Sequence, residues 1–177
     1  MTILNTDLKH YLCASRAVDD VSTIGGAIAP TIEPLTTEMS GAARIAFISD
    51  GADTRTVALV GRNVAGDIVT ESSIALNGAS EVLSAATFER INSVTLSAAD
   101  GSRTVTVKQG TGGSTLDTIG PTKVARERLF RQSVSDPSAT RTRCEKAGWK
   151  NENATDSLTS ATLTLTADPA AKIRIAT

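Results

Sequence analysis

The chain has 177 residues, a formal charge of −1 from 18 basic and 19 acidic side chains, one histidine and two cysteines. That balance gives no global field to draw a polyanion or an anionic membrane, so neither a specific nucleic acid nor a membrane is expected as partner. Aromatic residues are only 3% of the chain, and because they normally supply the largest single burial contributions, the subunit is expected to gain stability by self-association, most simply as a homotrimer.

No apolar run approaches the roughly 18 residues that span a bilayer. The opening MTILNTDLKHY has neither the basic start nor the apolar segment of a signal peptide. A cytoplasm is therefore the expected place of synthesis, with Cys13 and Cys144 as free thiols.

Residues 1–38 show no sustained helical or strand period. Gly25, Gly26, Pro30 and Pro34 punctuate them, which predicts an extended N-terminal arm that a β-rich body over 39–177 does not need in order to fold. Ile24, Ile28, Ile32 and Leu35 are its bulky residues and the expected anchors for protein interaction.

From Ala42 the pattern is β. ARIAFIS leads to Asp50-Gly51, two strands over 56–62 and 68–76 meet through Val64-Ala65-Gly66-Asp67, and INSVTLSA leads through Asp100-Gly101 to RTVTVKQ. Asp-Gly between alternating runs predicts hairpins at both sites. Neither face of the 56–76 hairpin is strongly apolar, so it is expected to be half-buried at best. Phe88 should anchor a short turn or helical piece beneath the sheet.

GTGGST, from Gly110 to Thr115, reads as a hinge between two β regions, and TKVARERLFRQS after Pro121 as the one short helix. Its basic residues Lys123, Arg126, Arg128 and Arg131, interrupted by Glu127, form a charged face that could meet phosphate or an acidic protein surface, although such a cluster is usually a solvated helix face. A last β segment follows: a strand over 140–150, a polar loop at NENATD, the alternation of Ala161, Leu163 and Leu165 with threonines, and a closing KIRIA. The fold class is thus mainly β, an antiparallel β-sandwich or jelly-roll-like body with an extended arm and one short helix.

The chemistry-bearing residues are sparse. His10 sits in the arm beside Tyr11, without the scaffold a nucleophile–base pair requires. GTGGST lacks the Lys-Ser/Thr of a phosphate loop. Asp50 and Asp53 in SDGADT have oxygens a calcium ion could use, but their spacing fits a solvated turn better, and the asparagines of NENATD fit turn formation better than glycosylation. A sugar-binding module would want stacking aromatics. No cofactor, no stoichiometric metal and no enzymatic activity are expected.

The stretch DIVTESSIALNGASEVLSAATFERINSVTLSAADGSRTVTV resembles a pattern of virion structural proteins of tailed bacteriophages. There, G-x-x-V-T-E leads to a strand, Asn-Gly, a Phe-containing turn and I-x-S-V-T. The matching residues are Gly66, Val69, Thr70, Glu71, Asn77, Gly78, Phe88, Ile91, Ser93, Val94 and Thr95. The C-terminal RTRCEKAGWKNENATDSLTSATLTLTADP is similar to that group as well, although bulkier residues are expected where Cys144 and Gly148 stand and a smaller one where Trp149 stands. The resemblance implies a capsid decoration or cement protein, made in the host cytoplasm and carried on the virion head, with the major capsid protein and itself as partners. A tail or head-tail connector component is the alternative, and a carbohydrate-binding module a more distant one.

Overall fold

The computed structural model describes residues 7–13, 27–128 and 147–157. Their strands are β1 (Leu8–Leu12), β2 (Ile32–Pro34), β3 (Ile45–Ser49), β4 (Thr56–Arg62), β5 (Ile68–Ala75), β6 (Val82–Leu83), β7 (Arg90–Leu96), β8 (Val105–Gln109), β9 (Thr115–Ile119), β10 (Ala125–Glu127) and β11 (Ala147–Asn151). The fold is mainly β, as the alternation implies. The chain divides into two units, residues 10–149 and a smaller one made of 1–9 with 150–177.

In the larger unit a five-stranded sheet has the order β2-β10-β7-β4-β5 and a four-stranded sheet the order β6-β3-β8-β9. Neighbours are antiparallel except β2, which runs parallel to β10. Both sheets contribute to one core. Val57 and Leu59 of β4 and Ile91, Val94 and Leu96 of β7 join Ile45 and Phe47 of β3, Val105 and Val107 of β8, and Leu116 and Ile119 of β9. Such a shared inner face is what stabilises a sandwich of half-apolar strands.

Two of the scarce aromatics, Phe47 and Phe88, are wholly buried. Phe88 lies beneath the sheet as expected, pairing with Ala43 through two backbone hydrogen bonds of 2.8 Å rather than starting a helical piece. It packs where β4 has no side chain. A Cβ on Gly61 would stand 2.3 Å from the Arg90 carbonyl and 2.6 Å from Phe88 Cδ1, at the point where the β4–β7 register shifts.

Several sequence expectations change in the folded chain. The 56–76 strands are a hairpin with Gly66 at positive φ, but β4 is a central strand with alternate residues buried, while β5 is a largely exposed edge. Asp50-Gly51 and Asp100-Gly101 do not close hairpins. Each lies where the chain crosses from one sheet to the other, and the two crossings are tied together by the Asp50 N–H on the Thr104 carbonyl and the Thr104 N–H on Asp50 Oδ2. GTGGST is the tight turn of the β8–β9 hairpin rather than a hinge: Gly110 and Gly112 adopt positive φ, and a Cβ on Gly113 would stand 1.8 Å from the Gln109 carbonyl.

The expected helix over 122–133 is replaced, at Ala125–Glu127, by β10, whose two ladders to β2 and β7 outweigh a local helical preference. Its residues 129–133 lie outside the described residues. The expected division at residue 38 also differs, because Ile32–Pro34 form an edge strand of the body's own sheet and Leu35 belongs to its core.

β1 and β11 form a two-stranded sheet, and β11 overlaps the end of the strand expected over 140–150, running one residue past it. In the smaller unit the described residues are 7–9 and 150–157. There Asn153 Oδ1 accepts from the N–H groups of Thr155 and Asp156, and its Nδ2 donates to Asp7 Oδ2, so the loop at NENATD is an asparagine-built turn as expected. The expected strands at 161–166 and 172–176 lie outside the described residues.

Candidate functional site

The basic residues expected to face a partner are engaged within the larger unit. Lys123, just before β10, donates from Nζ to the Tyr11 hydroxyl at 2.6 Å and to the Pro30 carbonyl at 2.9 Å, stands 3.5 Å from Glu33, and lies 4.5 Å from the centre of the Tyr11 ring. The ammonium is thus held by a carboxylate, two oxygen acceptors and a π face. Arg126 is paired in register with Glu33 of β2, binds it at 2.8 Å, and reaches across to β9 through Asp117 at 3.2 Å and the Thr118 carbonyl at 2.7 Å. It therefore joins three strands drawn from both sheets. Arg128, 5% exposed, donates to the Ile91 carbonyl, to Glu38 and to the Thr37 carbonyl.

All three cations act on residues 30–38. They clasp the second half of the expected arm to the sheet, with Leu35 beneath it and the Leu35 N–H on the Glu127 carbonyl at 2.7 Å. Burial lowers the pKa of Arg128 and raises that of Asp117, as removal of a charge from water requires.

Of the expected anchors, Ile32 is a half-buried residue of β2 and Leu35 a core residue. Ile28 bridges Cys13 and sits against Gly148, where a Cβ would meet its Cδ1 at 2.0 Å. The small residue at 148, unexpected in the sequence pattern, leaves room for that isoleucine. Its neighbour Trp149 is more than half exposed and stacks on His10 at 4.7 Å, and burial lowers the His10 pKa. Ile24, Arg131 and Cys144 lie outside the described residues.

A second polar cluster closes the crossing after β3. Asp53 is not the solvated turn residue expected: its side chain is 1% exposed. Its Oδ1 accepts the N–H and Nε–H of Arg55, and its Oδ2 accepts the second Arg55 arm at 2.7 Å and the Ser49 hydroxyl at 3.0 Å. Arg55 occupies the position a cation would take. The guanidinium contacts, foremost among several hydrogen bonds, hold Asp53 down at a pKa of about 2 and raise that of Arg55. Among the described residues no group of three or more His, Cys, Asp or Glu could hold a metal ion, and no helix is long and apolar enough to cross a membrane.

Sequence reasoning found the cations but missed their partners Tyr11, Glu33, Glu38 and Asp117. The only signal was charge complementarity between two runs 90 residues apart, and it becomes legible once β2 is known to pair with β10. Comparison with protein-family models, with curated proteins and with solved structures returns no match.

Proposed function

We propose that the protein is a structural component of a tailed-bacteriophage virion, a decoration or cement subunit that binds the assembled head and stabilises the shell by bridging capsid subunits. The observation that carries this reading is where the residues of the phage-like pattern fall. Gly66 turns the β4–β5 hairpin at positive φ. The Glu71 carboxylate leaves β5 to accept the N–H groups of Ala85 and Ala86 beyond β6, at 2.6 and 3.0 Å. The Gly78 carbonyl accepts the Ser49 N–H, and Phe88, Ile91 and Val94 are buried in the core. The pattern is therefore the skeleton that fixes β4, β5 and β7 and joins them to the second sheet.

A subunit whose Lys123, Arg126 and Arg128 are spent on internal clasps, and whose outward strand positions carry Thr70, Ser72, Thr115 and Thr118, presents a hydroxyl-rich surface. Hydroxyls there give solubility before assembly and hydrogen bonds after it. Repetition on a lattice makes modest contacts collectively strong through effective concentration. The test is co-sedimentation of the full chain with shells lacking it, followed by heating of the decorated and bare shells. Saturable binding and a raised rupture temperature are expected. Binding only to tails or connectors would move the assignment to the alternative reading.

A further inference from the structure

Among the described residues the two sheets of the larger unit present four edges, and three of them are guarded. β2 is three residues long and carries Pro34, and its Glu33 is bound by Lys123 and Arg126. β6 is only two residues long. β9 has the Arg126 side chain on its Thr118 carbonyl. Short strands, proline and charged side chains are the usual devices against pairing with another chain. β5 carries no Pro, Lys or Arg, and its one charged residue, Glu71, is spent on the loop after β6. A bulge at Ser72–Ser73 is its one such device and leaves Ile68–Ser72 as a regular five-residue edge.

The hydrogen-bonding direction of β5 follows from its register with β4. The Asn63 N–H bonds the Asp67 carbonyl at 3.1 Å, and the ladder continues as Arg62–Ile68, Gly61–Val69, Val60–Thr70 and Leu59–Glu71. Bonded and non-bonded pairs alternate in an antiparallel ladder. Val69 and Glu71 therefore aim their amides at β4, while Ile68, Thr70 and Ser72 aim theirs outward. Beyond them Ser73 breaks the strand at φ 62°.

We infer that this edge pairs with β5 of a second copy, antiparallel, about a two-fold axis through Thr70. In that register Thr70 faces Thr70, Ile68 faces Ser72 and Val69 faces Glu71, so each outward N–H meets a carbonyl and no like charges oppose. Shifting the register by one pair, so that Thr70 faces Ser72, sets Glu71 against Glu71 and is disfavoured. The opposite shift, with Thr70 facing Ile68, sets Glu71 against Asp67, so charge selects the register with Thr70 on the axis, and in that register the edge is complementary to a copy of itself. Pairing also covers Ile68, 57% exposed, which with Val64 at the hairpin tip is among the most exposed large apolar side chains of the described residues. This contact is two-fold, unlike the three-fold association expected from composition, and does not rest on the virion reading.

Sedimentation of the full chain over a concentration series tests it, together with three variants. A monomer–dimer equilibrium is expected. Thr70→Pro removes an outward N–H on each copy, so it should leave the circular dichroism unchanged and raise the dissociation constant at least about tenfold. Under a mild glutathione oxidant Thr70→Cys should give a covalent dimer, because the Cα atoms of a bonded antiparallel pair stand about 5.5 Å apart, within disulfide reach. Ser72→Cys, whose copies lie several residues apart in this register, should remain like the parent chain. A monomer at every concentration, a trimer indifferent to Thr70→Pro, or equal cross-linking of both cysteine variants would overturn the inference. If Thr70→Pro fails to fold, the cysteine pair decides.

Discussion

Replacing Asp53 by Asn removes one charge from a site in which both partners are almost fully buried, Asp53 at 1% and Arg55 at 9% side-chain exposure. The carboxylate pKa falls from 3.8 to about 2, chiefly through the Arg55 hydrogen bonds. That displacement corresponds to roughly 2 kcal/mol of stability. The amide Oδ1 can still accept from Arg55, but its NH2 sets donor against donor where Oδ2 took the second Arg55 arm and the Ser49 hydroxyl. Arg55 then loses its nearest countercharge, keeping the Ala98 carbonyl and the more distant Asp50 and Asp100, and the total loss should be roughly 2–4 kcal/mol. This is a large share of the ~5–15 kcal/mol typical of a domain.

The sign of the pH dependence follows from a folded pKa below the unfolded one. The contribution is complete above the unfolded value of 3.8, shrinks as the solution is acidified, and is gone once pH falls through about 2. Urea unfolding of parent and Asp53→Asn at a series of pH values measures the difference directly. It should be widest near neutrality and narrow steadily toward pH ~2. A difference below ~0.5 kcal/mol at neutral pH, or one that does not change on acidification, would refute the assignment of this pair as a buried, stabilising clasp.

Gly61→Ala should destabilise by roughly 1–3 kcal/mol, since its Cβ meets the Arg90 backbone and Phe88 together, and denaturant midpoints will show it. Deleting residues 1–36 should unfold or severely weaken the larger unit, because it removes β2, the core residue Leu35 and the partners of Lys123. Truncating Leu35 alone to Ala should cost roughly 2–5 kcal/mol in the same assay. A folded truncation of unchanged stability would restore the division at residue 38.

The fold class was legible because period-two alternation is plain in β4 and β8, and the bounds of β3, β4, β7 and β8 agree with the sequence to within two residues. What failed was anything that depends on which strand neighbours which. Asp50-Gly51 and Asp100-Gly101 are turn-forming in sequence and in structure, but a turn does not reveal whether the chain returns to the same sheet. β2 and β10 are three residues each, too short to show a period, and they exist because their ladders and the Glu33–Arg126 pair supply what local preference does not. The basic run was visible in the sequence while its role was not. A solvated face and an internal clasp have the same composition until the carboxylates on distant segments are placed beside it.

The most direct test of the central claim is an averaged density map of virions that carry the chain. The account predicts a β-rich subunit of this fold at regular positions on the outer head lattice, touching two or more capsid subunits, with residues 30–38 clasped to its own sheet. Density for the chain confined to the tail or connector, or its absence from the particle, would contradict it.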